Sequence, residues 1–155
     1  MNVRRLGVAW VAIIAVTVAA APVAGEKTTI KNLMGENFAG LHTILVSLIT
    51  SNYTNVPAQA EIIQDHASEL TSMIPESARA NRDQFLAYAY SLKSHAKDLQ
   101  SISELLIEHD QKQTPGGELA TDQLREALAA HYGGMVTTCV ACHNRYRNRA
   151  ISVVK

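Results

Sequence analysis

The sequence predicts an all-α fold, an antiparallel bundle of four helices in a single domain. Beyond the N-terminal segment, apolar residues recur every three or four positions, which is the spacing of one helix face, and strand-like alternation is absent. Proline, glycine and asparagine punctuate the chain between four such segments. Because the connections are short, consecutive helices are expected to lie side by side and run in opposite directions.

Residues 1–25 predict a secretory signal peptide. Arg4 and Arg5 form a positive start, the run Leu6–Ala21 is almost wholly apolar, and small residues follow up to Gly25, after which we expect cleavage. An uncleaved membrane anchor is the alternative, because residues 6–24 approach the roughly 20 needed to span a bilayer. In either case the folded part is exported, and we expect it in the periplasm.

Residues 26–155 predict one domain. Without the first 25 residues the chain has 12 basic and 14 acidic side chains, a net charge of −2. This balance excludes the basic surface that nucleic-acid binding needs. The length that remains is enough for one hydrophobic core.

The first two predicted helices follow the N-terminal segment. The first ends near Ser51, and its apolar stripe consists of Ile30, Met34, Phe38, Leu41, Leu45 and Leu48. The second has Pro57 in its first turn and stops at Pro75. Its inner face is expected to carry Ile62 or Ile63, His66, Leu70 and Met73.

The third and fourth predicted helices are longer. Asn81 and Gln84 have the spacing of a capping box, and the third helix runs from there to about Asp110. Its inner face carries Phe85, Tyr88, Leu92, His95, Leu99, Ile102 and Leu106. A turn is expected at residues 114–117, and the fourth helix then presents Leu124, Leu128, His131, Met135, Cys139 and Cys142 on one face.

The fourth helix contains the motif Cys139-Val140-Ala141-Cys142-His143, which uses both cysteines of the chain. This spacing is typical of covalent c-type haem attachment, in which two thiols form thioethers and the histidine ligates the iron. The three functional residues are three and four positions apart, so they share one side of a helix. One haem c is therefore expected inside the bundle, attached to the C-terminal helix.

Three other interpretations of this motif stay open. A dithiol redox site of thioredoxin type needs a βαβ context, and the upstream sequence does not alternate strand and helix. A structural zinc site needs four ligands, of which the CxxC provides two. A disulfide between Cys139 and Cys142 would leave His143 without a role.

With its CxxCH on the last of four helices, the chain resembles the class II c-type cytochromes, which comprise cytochrome c-prime and its low-spin relatives. The resemblance covers the architecture of the whole mature chain. It is most specific after His143, where Tyr146 and Arg147 stand at the family's aromatic and arginine positions. The resemblance implies that Arg147 lies beside the proximal imidazole, whereas by composition alone Arg147 belongs equally to a solvated basic tail.

The resemblance also implies that a first-helix residue faces the open side of the iron, and Met34 lies in that region. A thioether ligand there gives a six-coordinate, low-spin iron of raised potential, as in electron carriers. Family members with an apolar residue instead keep a five-coordinate iron that binds small gases. The alternatives are that Met34 only fills the core, or that a histidine on an apolar face is the second ligand: His66, His95 or His131.

The expected function is a periplasmic monohaem cytochrome that carries one electron, with His143 and Met34 as axial ligands. The alternative is binding of nitric oxide or carbon monoxide at the sixth position. An enzyme is not expected, because His42 lies about 12 Å along the helix from Met34, too far to act as a distal acid–base group.

Expected partners are a small gas or a redox protein with an acidic surface, docked by the basic residues near the C-terminus, which are Arg145, Arg147, Arg149 and Lys155. The resemblance adds a homodimer as an option. Membrane association is expected only if the N-terminal segment is uncleaved.

Overall fold

The computed structural model describes residues 29–112 and 118–146. The predicted signal peptide, the predicted turn at residues 114–117 and Arg147 lie outside these residues. The described chain forms four α-helices, α1 (Ile30–Thr50), α2 (Val56–Leu70), α3 (Arg82–Lys112) and α4 (Glu118–Tyr146), with a 3-10 helix (Glu76–Asn81) before α3. The predicted all-α class is confirmed.

Side-chain and backbone caps define both ends of α1. The hydroxyl of Thr29 accepts a hydrogen bond from the backbone N–H of Asn32 at 3.3 Å, which satisfies a free donor of the first turn. At the other end Ser51 adopts a left-handed conformation with φ of 53°, and its N–H bonds back to the carbonyl of Leu48 at 3.4 Å. The helix therefore ends where the sequence predicts.

The second helix ends at Leu70, five residues earlier than the Pro75 of the prediction. The N–H groups of Thr71, Ser72 and Met73 each donate a hydrogen bond to the carbonyl three residues before. This 3-10 pattern replaces the four-residue spacing of the α-helix and ends it. The hydroxyls of Thr71 and Ser72 also donate to carbonyls three residues before them. These local hydrogen bonds end the helix before the chain reaches Pro75.

The buried face of α1 differs from the predicted stripe by one position. It consists of Leu33, Asn37, Gly40, Ile44 and Ser47, whereas Phe38 is 74% exposed and Leu45 is 38% exposed. A Cβ atom at Gly40 would lie 3.4 Å from Cδ1 of Ile63, so the missing side chain lets α2 approach closely. Because α1 is apolar on more than one face, its periodicity did not show which face α2 covers.

The first helix is also long and apolar enough, by length and composition alone, to cross a membrane. Core helices of soluble proteins and signal sequences meet the same criterion, so this is weak support for a membrane span. The face of α1 that packs on α2 accounts for part of the apolar composition.

The helices pack in the pairs α1–α2, α2–α3, α3–α4 and α1–α4. From Asn81, just before α3, to the end of α3, residues with increasing sequence numbers contact residues of α4 with decreasing sequence numbers. These pairs are Asn81 with Tyr146, Ser91 with Thr138, His95 with His131, and His109 with Thr121. The two longest helices therefore run in opposite directions.

The core has two parts. The larger cluster occupies the middle of the helices, with Ile44, Ile63, Leu99, Leu128 and Met135 among its fully buried members. The smaller cluster, which we call the end cluster, consists of Leu33, Leu70, Ala78, Phe85 and Ala89. Met34, Met73 and Tyr146 pack against the end cluster, so it lies beside the last turn of α4.

Candidate haem-binding site

A cavity of about 480 Å³ lies beside the end cluster. Its wall is mostly apolar and is formed by α1 (Ile30, Met34, Phe38), by the end of α2 and the segment after it (Leu70, Pro75, Ser77), by α3 (Phe85, Tyr88, Ala89, Leu92) and by α4 (Thr138, Cys139, Cys142, His143, Tyr146). Both its size and its apolar wall with a few polar groups are typical of cofactor sites, which span roughly 300–1,000 Å³.

Four of the five site residues predicted from the sequence line this one cavity. Cys139, Cys142 and His143 come from one side of α4, and Met34 comes from α1. The fifth, Arg147, lies outside the described residues. The predicted α1 stripe is relevant here, because its N-terminal half lines the cavity instead of packing on α2.

The two cysteines are free thiols, and both are half-buried. Burial raises the pKa of the Cys139 thiol. The pKa of the Cys142 thiol is also raised, mainly by burial and further by the negative charge that Cys139 carries when it is deprotonated. Both groups are therefore protonated thiols at neutral pH. A thiol and a vinyl group together contain every atom of a thioether, so their addition needs no oxidant.

His143 lies at the rim of the cavity, because it lines the cavity and is also exposed to solvent. It is in the last turn of α4, three residues before the end of the helix at Tyr146. An imidazole at this position could ligate a metal carried by a group that occupies the cavity.

An aromatic group forms one wall next to His143. The ring of Tyr146 packs edge-to-face on Phe85, with ring centroids 5.6 Å apart, and on Tyr88, at 6.2 Å. The hydroxyl of Tyr146 donates a hydrogen bond to the backbone carbonyl of Asn81 at 3.0 Å. From the sequence, Tyr146 is indicated only by the family resemblance, although its three-residue spacing from His143 already places the two residues on one face of a helix.

Asn81 has a different role from the one its capping-box spacing predicts. It ends the 3-10 helix that leads directly into α3, and its side-chain oxygen is 3.5 Å from a guanidinium nitrogen of Arg145. Asn81 therefore joins the start of α3 to the end of α4, a contact between residues 64 positions apart in the chain.

His66, one of the histidines that the sequence offered as a second axial ligand, lies between α1 and α2. Its Nδ1 is 2.7 Å from the side-chain oxygen of Asn37 and its Nε2 is 3.2 Å from a carboxylate oxygen of Glu36. His66 is not among the residues that line the cavity. Both of its ring nitrogens already have partners in the protein.

The other two histidines contact each other across α3 and α4. Nδ1 of His95 is 3.3 Å from Nδ1 of His131, which in turn is 3.4 Å from a carboxylate oxygen of Asp98. Neither histidine lines the cavity. Across residues 29–112 and 118–146, no group of three or more His, Cys, Asp and Glu side chains is arranged to hold a metal ion.

Comparison with known proteins yields no match: no family model, no curated protein and no solved structure matches this chain. The interpretation of the site therefore depends on its residues and their geometry.

Proposed function

We propose that the protein is an exported class II c-type cytochrome that holds one haem c and carries single electrons between partner proteins. The observation that supports this proposal is the cavity, which is lined at once by both cysteines, by His143 and by Met34. Met34 on α1 is at least 105 positions from the three motif residues on α4. The motif alone therefore could not predict that all four line one cavity.

The proposal includes an antiparallel four-helix bundle with the haem on α4. The opposite directions of α3 and α4 support it. Contacts between α1 and α2 follow the same order, since Asn37 contacts His66 while Gly40, further along α1, lies against Ile63, earlier on α2. Contact between α1 and α4 closes the ring of helices.

In this proposal Cys139 and Cys142 would hold the haem through thioethers, and His143 and Met34 would ligate its iron. Haem supplies an iron that alternates between Fe(III) and Fe(II). The two proposed ligands are on separate helices whose positions are set by packing, and the cavity wall is mostly apolar. Ligands fixed by packing would move little when the iron changes charge, which would favour fast electron transfer.

The three other interpretations of the motif explain less of the structure. A dithiol pair, a disulfide or a zinc ion needs no apolar cavity of about 480 Å³ beside the two sulfur atoms. Nor would any of them use the aromatic wall of Phe85, Tyr88 and Tyr146. A flat, apolar macrocycle uses both.

Binding of nitric oxide or carbon monoxide is the second candidate function. Phe38 lines the cavity next to Met34, one helical turn away, and yet is 74% exposed, so the α1 side of the cavity is open to solvent. A small gas could approach the iron from that side wherever Met34 leaves the sixth position open. The occupant of this position distinguishes the two functions.

Export to the periplasm and docking to an acidic redox partner belong to the same proposal. Of the basic residues expected to dock the partner, Arg145 is described; it is exposed and lies next to the cavity-lining Tyr146. A homodimer and membrane association through an uncleaved N-terminal segment stay predictions from the sequence.

The first experiment is expression of the full chain in a bacterium that exports proteins and attaches c-type haem. We expect the purified protein to exceed the mass of its chain by one haem that acid extraction does not remove. The Cys139→Ala, Cys142→Ala double variant is the control and should retain no covalent haem. A purified wild-type chain without covalent haem would contradict the proposal.

Absorption spectra of the same sample then separate the two functions. Narrow bands in the reduced state and no response to carbon monoxide would support electron transfer with a second protein ligand. Broad high-spin bands with an immediate shift on adding carbon monoxide would support gas binding instead.

A further inference from the structure

The last turn of α4 carries two of the proposed haem-binding residues, Cys142 and His143, and ends at Tyr146. Helix ends fray, because their last carbonyls have no partner within the helix. His143 is exposed and sits on this turn. Its position relative to the cavity therefore depends on what holds the end of α4 in place.

Tyr146 holds that end through two kinds of contact. Its ring lies on Phe85 and Tyr88, both on the first turns of α3, and its hydroxyl donates to the carbonyl of Asn81 just before α3 begins. Phe85 is buried in the end cluster, so this part of α3 is a firm support. The contacts join the end of one helix to the start of another.

Tyr146 and His143 are three residues apart and therefore lie on the same face of α4, one turn from each other. Both line the cavity. A rotation of the last turn that moved Tyr146 off α3 would move His143 by a similar distance.

We propose that Tyr146 is a positioning residue, whose hydroxyl bond to the Asn81 carbonyl fixes the last turn of α4 and so sets the place of His143. This inference rests on the proposed function, in which His143 binds the iron. It assigns to the tyrosine hydroxyl a role that an aromatic ring alone does not fill.

Tyr146→Phe isolates the hydroxyl bond, because phenylalanine keeps the ring and its packing on Phe85 and Tyr88. Tyr90→Phe is the matched control. Tyr90 is on α3, is 59% exposed and does not line the cavity, so its hydroxyl has no comparable role. Both variants are made in the full-length, haem-loaded protein.

The first measurement is backbone amide hydrogen exchange. In Tyr146→Phe we expect the amides of the last turn of α4 to exchange roughly fivefold faster, the factor that corresponds to loss of one neutral hydrogen bond. Amides in the middle of α4 should keep their wild-type rates, and Tyr90→Phe should leave the last turn unchanged. Equal exchange in wild type and Tyr146→Phe would overturn the inference.

The second measurement is the reduction potential, at equal haem content. We expect Tyr146→Phe to raise it, because an imidazole that binds the iron less firmly stabilises Fe(III) less than before, while Tyr90→Phe keeps the wild-type value. Faster exchange with an unchanged potential would show a structural bond without a positioning role, which also overturns the inference.

Haem content of the wild-type protein separates this inference from the proposed function. If the wild-type chain carries no covalent haem, the proposed function fails and the positioning of an iron ligand fails with it. If haem is attached and the potential does not respond to Tyr146→Phe, the inference about Tyr146 alone is wrong.

Discussion

Gly134 has no side chain at the place where the ring of His95 lies against α4. A Cβ atom there would be 2.5 Å from Cε1 and 2.6 Å from Nε2 of that ring, closer than non-bonded atoms approach. The ring would have to move, and its contact with His131 at 3.3 Å would be lost. One missing methyl group thus allows this contact between α3 and α4.

We predict that Gly134→Ala destabilises the protein by about 1–3 kcal/mol, the usual cost of overpacking a filled site. Gly133→Ala is the control, because a Cβ atom at Gly133 meets nothing within 4 Å. That change should be neutral or stabilise by up to about 1 kcal/mol, through the better helix propensity of alanine. Urea unfolding of both variants measures the difference, and equal effects would contradict the packing.

The amide nitrogen of Asn37 is also notable at this scale. It is buried and has no hydrogen-bond partner among the described residues, while the amide oxygen contacts His66. A buried donor without a partner costs about 1–3 kcal/mol. The contact with His66 fixes the register of α1 against α2. Burial of the unpartnered amide nitrogen partly offsets the stability that this contact adds.

At the scale of elements, α1 has two apolar faces with different tasks. Ile44 is fully buried in the core, whereas the next residue, Leu45, is 38% exposed. Further toward the N-terminus, Met34 and Phe38 line the cavity. The helix thus packs on α2 with one face and contributes to the candidate site with another.

We predict that Ile44→Ala destabilises the protein by about 2–5 kcal/mol, as truncation of a buried aliphatic side chain does. Leu45→Ala removes a similar volume from the half-exposed face and should cost less than about 1 kcal/mol. Chemical denaturation of the two adjacent variants tests which face is inside. A larger loss for Leu45→Ala would favour the stripe read from the sequence.

At the scale of the whole molecule, the candidate site exists only because α1 and α4 meet. The four residues that matter are Met34 from one helix and Cys139, Cys142 and His143 from the other. Met73 offers a natural comparison, since Met34 and Met73 both pack partly buried against the end cluster while only Met34 lines the cavity. A comparison of the two methionines therefore tests the proposed iron ligation by Met34 against simple core packing.

If Met34 ligates a haem iron as proposed, we predict that Met34→Leu will make the iron bind carbon monoxide and will lower its reduction potential, because the thioether ligand would be lost. Met73→Leu keeps volume and apolar character in the same cluster and should preserve the wild-type spectrum. Reduced spectra with and without carbon monoxide measure the change. Identical spectra for wild type and Met34→Leu would leave Met34 as a packing residue.

Much of this molecule could be predicted from local sequence. Helical periodicity predicted the all-α class and the approximate extents of the helices, because a helix repeats over positions close in the chain. The five-residue motif predicts haem attachment at Cys139 and Cys142 with His143 as the iron ligand, because the three residues lie within about one and a half helical turns. The structure confirms that all three line one cavity. These inferences need no knowledge of distant residues.

Only the tertiary structure decided how the faces pair. The buried face of α1 is the one where Gly40 admits α2, and Asn81 meets Tyr146 across 65 positions of chain. The same packing brings Met34 to the cavity that the motif lines, and keeps His66, His95 and His131 away from it. Periodicity reports that a face is apolar, but the volume and shape of side chains on another helix determine what covers it.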